Sequence, residues 1–203
     1  MIPRIFSSNS NPVLKRHIVN KVVAIAPQHL FDVVTDVDSY KHFLPFCKSS
    51  QILRSSDCGT FFDASLKIGV SDLPPLNSIE EEYVSRVKHM RRQTSDGTPE
   101  WIVEAKSIKS NLFHGLSSSW RLSEGESSNT RTSLTDPVDK TIENIVGNGQ
   151  SLTNVEFQVE MSVTDPLMAA ALDQVLESVA LQQVAAFEQR CRDIPFDAEL
   201  HHV

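Results

Sequence analysis

The sequence predicts an α+β domain: a curved antiparallel sheet of about seven strands around a long C-terminal helix, with two short helices after the first strand. Three observations predict it. Strand-length segments recur along the chain, and the clearest of them alternate apolar and polar residues with a period of two. A helical stretch opens at Asp165-Pro166 and runs towards Arg192 with an apolar stripe. Antiparallel strands with one dry face can bury that face only against another apolar element, and this helix is the only segment long enough to serve.

His17 to Ile25 reads as the first strand, rich in β-branched residues and free of breakers. Pro27 suits a first helical turn, where its missing N–H costs nothing. Leu30, Phe31 and Val34 then form an apolar face at helical spacing. Asp36 and Asp38 interrupt that face, and Tyr40, Phe43 and Leu44 resume it. Pro45 ends the segment, because the residue before a proline is pushed out of helical geometry. Lys48 to Ser56 is a second, weaker strand, followed by a turn at Asp57-Cys58-Gly59. Phe62, Ala64, Leu66, Ile68 and Val70 alternate with Asp63, Ser65, Lys67 and Gly69, giving one dry and one wet face. A proline-bearing loop, Asp72 to Asn77, carries Leu73 and Leu76 at its tip. Ile79 to Lys88 is the next strand, with Tyr83, Ser85 and Val87 inward; Trp101 to Ile108 and Leu116 to Leu122 are two more. Residues 123–151 are rich in Ser, Thr, Asn, Asp and Gly and read as a long mobile hairpin loop. Val155, Phe157, Val159, Met161 and Val163 then alternate strictly with polar residues. Asp165 is an N-cap with Pro166 at the first helical position, and Met168, Leu172, Val175, Leu176, Val179 and Phe187 supply the stripe.

The chain has 203 residues, 40% of them hydrophobic, which suits one domain. The expected division is an N-terminal segment 1–16, a domain 17–195 and a tail 196–203. Apolar stretches such as Val22 to Phe31 fall short of the ~20 residues that a membrane span needs. A soluble or peripheral protein is expected. The formal net charge is −7, and Arg4, Lys15, Arg16 and Lys21 all precede the first acid, Asp32. An acidic body argues against nucleic-acid binding, which wants a basic face. Cys47, Cys58 and Cys191 make an odd count without C-x-x-C spacing, so buried free thiols are expected in place of a disulfide framework or zinc site. Residues 1–16 hold three basic residues, three serines and no acid. A mitochondrial presequence has this composition, and so does an ordinary frayed terminus.

One segment carries more information than the rest: Phe31, Val33, Val34, Asp36, Val37, Tyr40, Phe43, Leu44, Pro45 and Cys47, at fixed spacing. It resembles the motif of the mitochondrial coenzyme Q-binding proteins of the START-like, or polyketide cyclase and lipid-transfer, superfamily. Further matches run in family order: Leu66 to Gly69, Tyr83 to Val87, Leu112-Phe113, Ser119 to Leu122, Val155 to Phe157 and Ala186 to Arg190. The resemblance implies a helix-grip fold. It also implies a mitochondrial address, peripheral on the matrix side of the inner membrane, with ubiquinone as ligand and no catalytic cofactor. Contact with respiratory or quinone-biosynthesis complexes follows from the same likeness.

Patterning alone leaves two arrangements open between sheet and helix, a packed core or a tunnel. The resemblance favours the tunnel, lined by Phe43, Leu44, Phe62, Leu66, Ile68, Tyr83, Ser85, Trp120, Phe157, Val159, Leu172 and Val175. Tyr83, Ser85, Trp120 and Arg86 suit the ring by chemistry, as donors and a flat face. If the tunnel exists, Trp120→Ala should lower occupancy more than stability. A quinone tail is already dry in a bilayer, so the hydrophobic effect drives little transfer to the protein, and headgroup contacts must select it. Extraction calls for an apolar lip against the membrane, for which Leu73, Leu76 and Phe46 are the candidates.

Other functions have less behind them. There is no H-E-x-x-H, G-x-S-x-G, Walker loop or G-x-G-x-x-G. His42, His89 and His114 stand apart from any nucleophile pattern. A cyclase or hydratase would draw on Asp36, Asp38 or Glu104, although the first two read more simply as caps of the short helices. His201-His202 lies at a terminus, where adjacent imidazoles rarely make a metal site. A protein-interaction module, related to START-like proteins that bind ribosomes, is the remaining alternative.

Overall fold

The computed structural model describes residues 11–70, 79–111, 113–125 and 151–195. The expected tip residues Leu73 and Leu76, most of the 123–151 loop, the tail 196–203 with His201-His202, and residues 1–10 lie outside the described residues.

The elements are β1 (Val13–Val23), α1 (Pro27–Thr35), a 3-10 helix (Val37–His42), β2 (Cys47–Ser55), β3 (Phe61–Val70), β4 (Ile79–Gln93), β5 (Pro99–Lys109), β6 (Gly115–Glu124), β7 (Thr153–Val163) and α2 (Pro166–Asp193). All seven strands form one antiparallel sheet in the order β1-β7-β6-β5-β4-β3-β2. β1 starts at Val13, four residues before the expected His17, because Val13 to Arg16 pair with Val163 to Glu160. The folded domain therefore reaches into the 1–16 segment.

β1 and β2 follow each other in sequence but form opposite edges of the sheet. The chain must cross the open side of the curve between them, and α1 and the 3-10 helix make that crossing. Pro27 sits in the first turn of α1, whose buried face is Leu30, Val33 and Val34. The 3-10 helix covers the β2 edge. Asp38 Oδ1 accepts from Ile52 N at 2.6 Å, and Lys41 N donates to Ser50 Oγ at 3.1 Å. Asp38 is thus an edge cap for a strand, which protects it from stray pairing.

α2 lies in the concave face. Asp165 caps it, accepting from Leu167 N at 2.7 Å and Met168 N at 3.0 Å, with Pro166 in the first turn. Its C-terminal part closes one end of the domain. Phe187, fully buried, meets the rings of Tyr40, Phe43 and Trp120 at centroid distances of 5.2, 5.3 and 4.9 Å, each near edge-to-face. Trp120 also lies 4.5 Å from the ring of Phe157. Such pairs contribute ~0.5–1.5 kcal/mol beyond their burial. The Tyr40 hydroxyl donates to Val34 O, tying the 3-10 helix to α1.

On the convex face, Asp63 is only 3% exposed. It accepts from Arg54 Nε at 2.6 Å and from Arg86 Nε and Nη2 at 2.8 and 3.1 Å. The Arg86 guanidinium also lies over the Phe61 ring. Arg86 is therefore a structural partner on the outer face and not a group facing the interior. The arginines hold the Asp63 carboxyl down at about 2. A depressed carboxylate stabilises the fold above its ordinary pKa, and that stability is lost as pH falls through the depressed value. Between pH ~4 and ~2 the pair should lose about 1–2 kcal/mol, moderated because both guanidiniums reach water. Urea midpoints measured from pH 5 to 2 should fall more steeply for the native chain than for Asp63→Asn; parallel curves would deny the coupling.

The thiols differ from the expected buried set. Cys191 is buried, Cys47 is half-buried and Cys58 is exposed in the β2–β3 turn. Hydrogen bonding with Thr60 and Ser56 brings the Cys58 thiol down to about 7, and burial pushes Cys191 up to about 12.

Candidate functional site

Between the N-terminal two thirds of α2 and the sheet lies a partly enclosed cavity of about 190 Å³. Its origin is a matter of side-chain size. The inward positions Ser85 on β4, Ala105 on β5 and Ser118 on β6 are small, and Ala105 stands directly opposite Ser118 and Val87 in the ladder. Large residues there would meet α2 and close the core. Small ones leave a gap that Met168, Leu172, Val175, Leu176 and Val179 of α2 roof over.

Leu44, Leu66, Ile68, Tyr83, Ser85, Trp120, Val159, Leu172 and Val175 all line this space, as the sequence reading placed them. Three expected members do not. Phe43 packs edge-on against Tyr40 and Phe187. Phe62 is 6% exposed and packs beside His89, and Phe157 is fully buried under Trp120. All three are core. Their side chains point inward as predicted, but they sit where α1, the 3-10 helix and the end of α2 fill the sheet.

Phe46, expected at a membrane lip, lines the cavity and is half-buried. Its φ of 69° is the left-handed region that side chains rarely adopt. Its carbonyl accepts from Gly69 N at 2.8 Å, which holds the turn against β3. Sequence reasoning missed Val34, Val37, Tyr40, Cys47, Ala105, Phe113, Ser118, Met161 and Gln183. The one available signal was the serine run 117–119 within a strand, where a dry face carries unusually small residues.

The lining is apolar with a few neutral polar groups: Tyr83, Ser85, Ser118, Gln183 and the Trp120 indole. No described lining residue is charged. Burial raises the phenols of Tyr40 and Tyr83 and the thiol of Cys47, so all three keep their protons at neutral pH. The Tyr40 hydroxyl is committed to Val34 O, whereas among the described residues no side-chain hydrogen bond engages the Tyr83 hydroxyl. Asp36, Asp38 and Glu104 are exposed and lie outside the cavity. His89, half-buried, packs between the rings of Phe31 and Phe62, and burial lowers its pKa. Among the described residues no group of His, Cys, Asp or Glu is placed to hold a metal. No helix there is long and apolar enough to cross a membrane.

An antiparallel sheet curved around a C-terminal helix, hollow between the two, defines a START-like helix-grip domain. The chain belongs to the polyketide cyclase/dehydrase and lipid transport family, whose model matches residues 23–188. It is 31% identical over 101 residues to the mitochondrial coenzyme Q-binding protein COQ10 of Dictyostelium discoideum, covering 50% of this chain and 42% of that one. The chain spans about half the length of the curated coenzyme Q-binding relatives it matches. It is 21% identical over 174 residues to the ribosome association toxin RatA of Rickettsia prowazekii, covering 86% and 94% of the two chains. Among solved structures, the Zhui aromatase/cyclase from a Streptomyces species superposes with a TM-score of 0.57 at 13% identity, over 89% and 94% of the chains. That likeness is one of fold.

Proposed function

We propose that this chain binds ubiquinone in the cavity without transforming it, and acts as a lipid chaperone that supports respiration and quinone biosynthesis. The supporting observation is the lining itself: apolar walls, neutral hydrogen-bond donors at Tyr83, Ser85, Ser118 and Gln183, and a flat indole at Trp120. Quinone oxygens accept hydrogen bonds and carry no charge, so neutral donors suit them and an ion would be a desolvation penalty. Apolar cavities of ~150 Å³ take a benzene ring and stay dry when empty. The cavity here, about 190 Å³, suits a substituted ring with its tail leaving past the rim. The named relatives support quinone as ligand and a mitochondrial address. Peripheral placement on the matrix side of the inner membrane, with Phe46 at the lip, and contact with respiratory or quinone-biosynthesis complexes, belong to the same proposal.

Absence of turnover is supported by the position of the carboxylates. Asp36, Asp38 and Glu104 lie outside the cavity, so an acid or base for cyclase chemistry would have to come from elsewhere. A second reading rests on the near full-length match to a ribosome association toxin. It predicts co-sedimentation with ribosomal particles whatever the lipid content.

Trp101 and Trp120 are the two tryptophans, and Trp101 Nε1 donates to Gln28 Oε1 at 2.9 Å. A Trp101→Phe chain therefore leaves Trp120, in the cavity wall, as sole reporter. Adding short-tailed ubiquinone should quench it saturably at one equivalent, and mass spectra of lipid extracted from protein purified from its native membranes should contain ubiquinone. Unsaturable quenching and an empty extract would overturn the proposal.

A further inference from the structure

The two sheet edges are treated differently. The 3-10 helix covers β2, whereas among the described residues β1 ends the sheet with no strand beyond it. β1 is eleven residues long, and among the described residues none of its backbone groups bonds outside the β1–β7 ladder. Its convex side shows Leu14, Ile18 and Val22, which are 61%, 41% and 48% exposed. A long open edge with an apolar stripe is a template for another strand.

The stripe is symmetric about Ile18. In an antiparallel pairing of β1 with itself centred there, Ile18 faces Ile18, Leu14 faces Val22 and Arg16 faces Asn20. On the convex side every apolar residue meets an apolar one, as an isologous two-fold interface requires, while on the concave side Val13 faces Val23 and His17 faces Val19. On the concave side the register sets Lys15 opposite Lys21, but each is already neutralised by α2. Lys15 Nζ lies 2.6 Å from Asp173, and Lys21 pairs with Glu188. The two lysines therefore meet with a carboxylate beside each, Asp173 at Lys15 and Glu188 at Lys21, the latter shared with Arg192 of the same helix.

We propose that β1 is the interaction surface of this chain and that its partner is a second copy, joined edge to edge with Ile18 on the two-fold axis. The two sheets then become one of fourteen strands. The proposal is independent of what the cavity holds.

Cross-linking reads the register directly. In a Cys58→Ser background, which removes the exposed native thiol, Ile18→Cys should form a symmetric disulfide on mild oxidation. Leu14→Cys alone should not, yet a mixture of Leu14→Cys and Val22→Cys chains should. Light scattering of the full chain should give a dimer mass, and Ile18→Lys should weaken association at least tenfold with an unchanged circular dichroism spectrum. A monomeric native chain, a self-linking Leu14→Cys, or a dimer indifferent to Ile18→Lys would each overturn it.

Discussion

Replacing Ala105 with phenylalanine should abolish quinone binding and leave the fold standing. Ala105 lines the cavity from the middle of β5, between Val87 and Ser118 on the neighbouring strands. Overpacking a full core costs ~1–3 kcal/mol. This position opens on about 190 Å³ of space, room for the added ring, so most of that cost is absent. The phenyl group buries itself where the guest would lie and gains ~1.5–3 kcal/mol of its own burial. Affinity should fall ~100-fold or more, equivalent to about 2.7 kcal/mol, while the thermal midpoint holds or rises. Quenching of Trp120 by quinone in the Trp101→Phe background measures the first, and calorimetry the second. Unchanged affinity would place the ligand outside the cavity. Loss of both would mean that the space is needed for folding, and the binding result would lose its meaning.

The variant also marks what could be read from the sequence. The strands were legible where alternation was strict, as in β3 and β7, because a half-buried strand leaves a period-two trace that needs no partner to interpret. The start of α2 was legible from Asp165-Pro166, a local cap. Strand ends were less so. β4 runs on to Gln93 because Arg91 to Gln93 pair with Trp101 to Pro99, and β1 begins at Val13 because β7 is there to receive it. Those extensions are set by the partner strand and leave little trace of their own.

Hollowness belongs to the same class. Ser85, Ala105 and Ser118 are far apart in sequence, and only the register brings their small side chains together. Inwardness was readable at Phe43, Phe62 and Phe157, but depth was not. A residue on the dry face lines the cavity or fills the core according to what lies above it along α2. Near Leu172 and Val175 there is space, and near Phe187 there is none. Asp38 shows the point for polar groups. Local reasoning made it a helix cap, and the fold uses it on Ile52 of another element.

Trp120 is where depth matters most, and its truncation should cost more stability than any other substitution considered. The indole lines the cavity, yet it is 3% exposed and its other side rests on Phe157 and Phe187 at 4.5 and 4.9 Å. Removing it opens the aromatic cluster that joins α2 to the 3-10 helix through Tyr40 and Phe43. Large-to-small changes of this kind cost ~3–5 kcal/mol, a large share of the ~5–15 kcal/mol that holds a typical domain together. Trp120→Ala should therefore lose stability first and binding as a consequence, the reverse of the order expected from sequence. Urea unfolding of Trp120→Ala at pH 7 should show a midpoint shift of that size with an unchanged slope. Trp120→Phe keeps a ring against Phe157 and should recover most of the stability while still binding quinone more weakly than the native chain. A truncation costing under ~1 kcal/mol, the range of changes that disturb no core, would show that the indole hangs free in the cavity, and the aromatic cluster would then owe its cohesion to Phe187 alone.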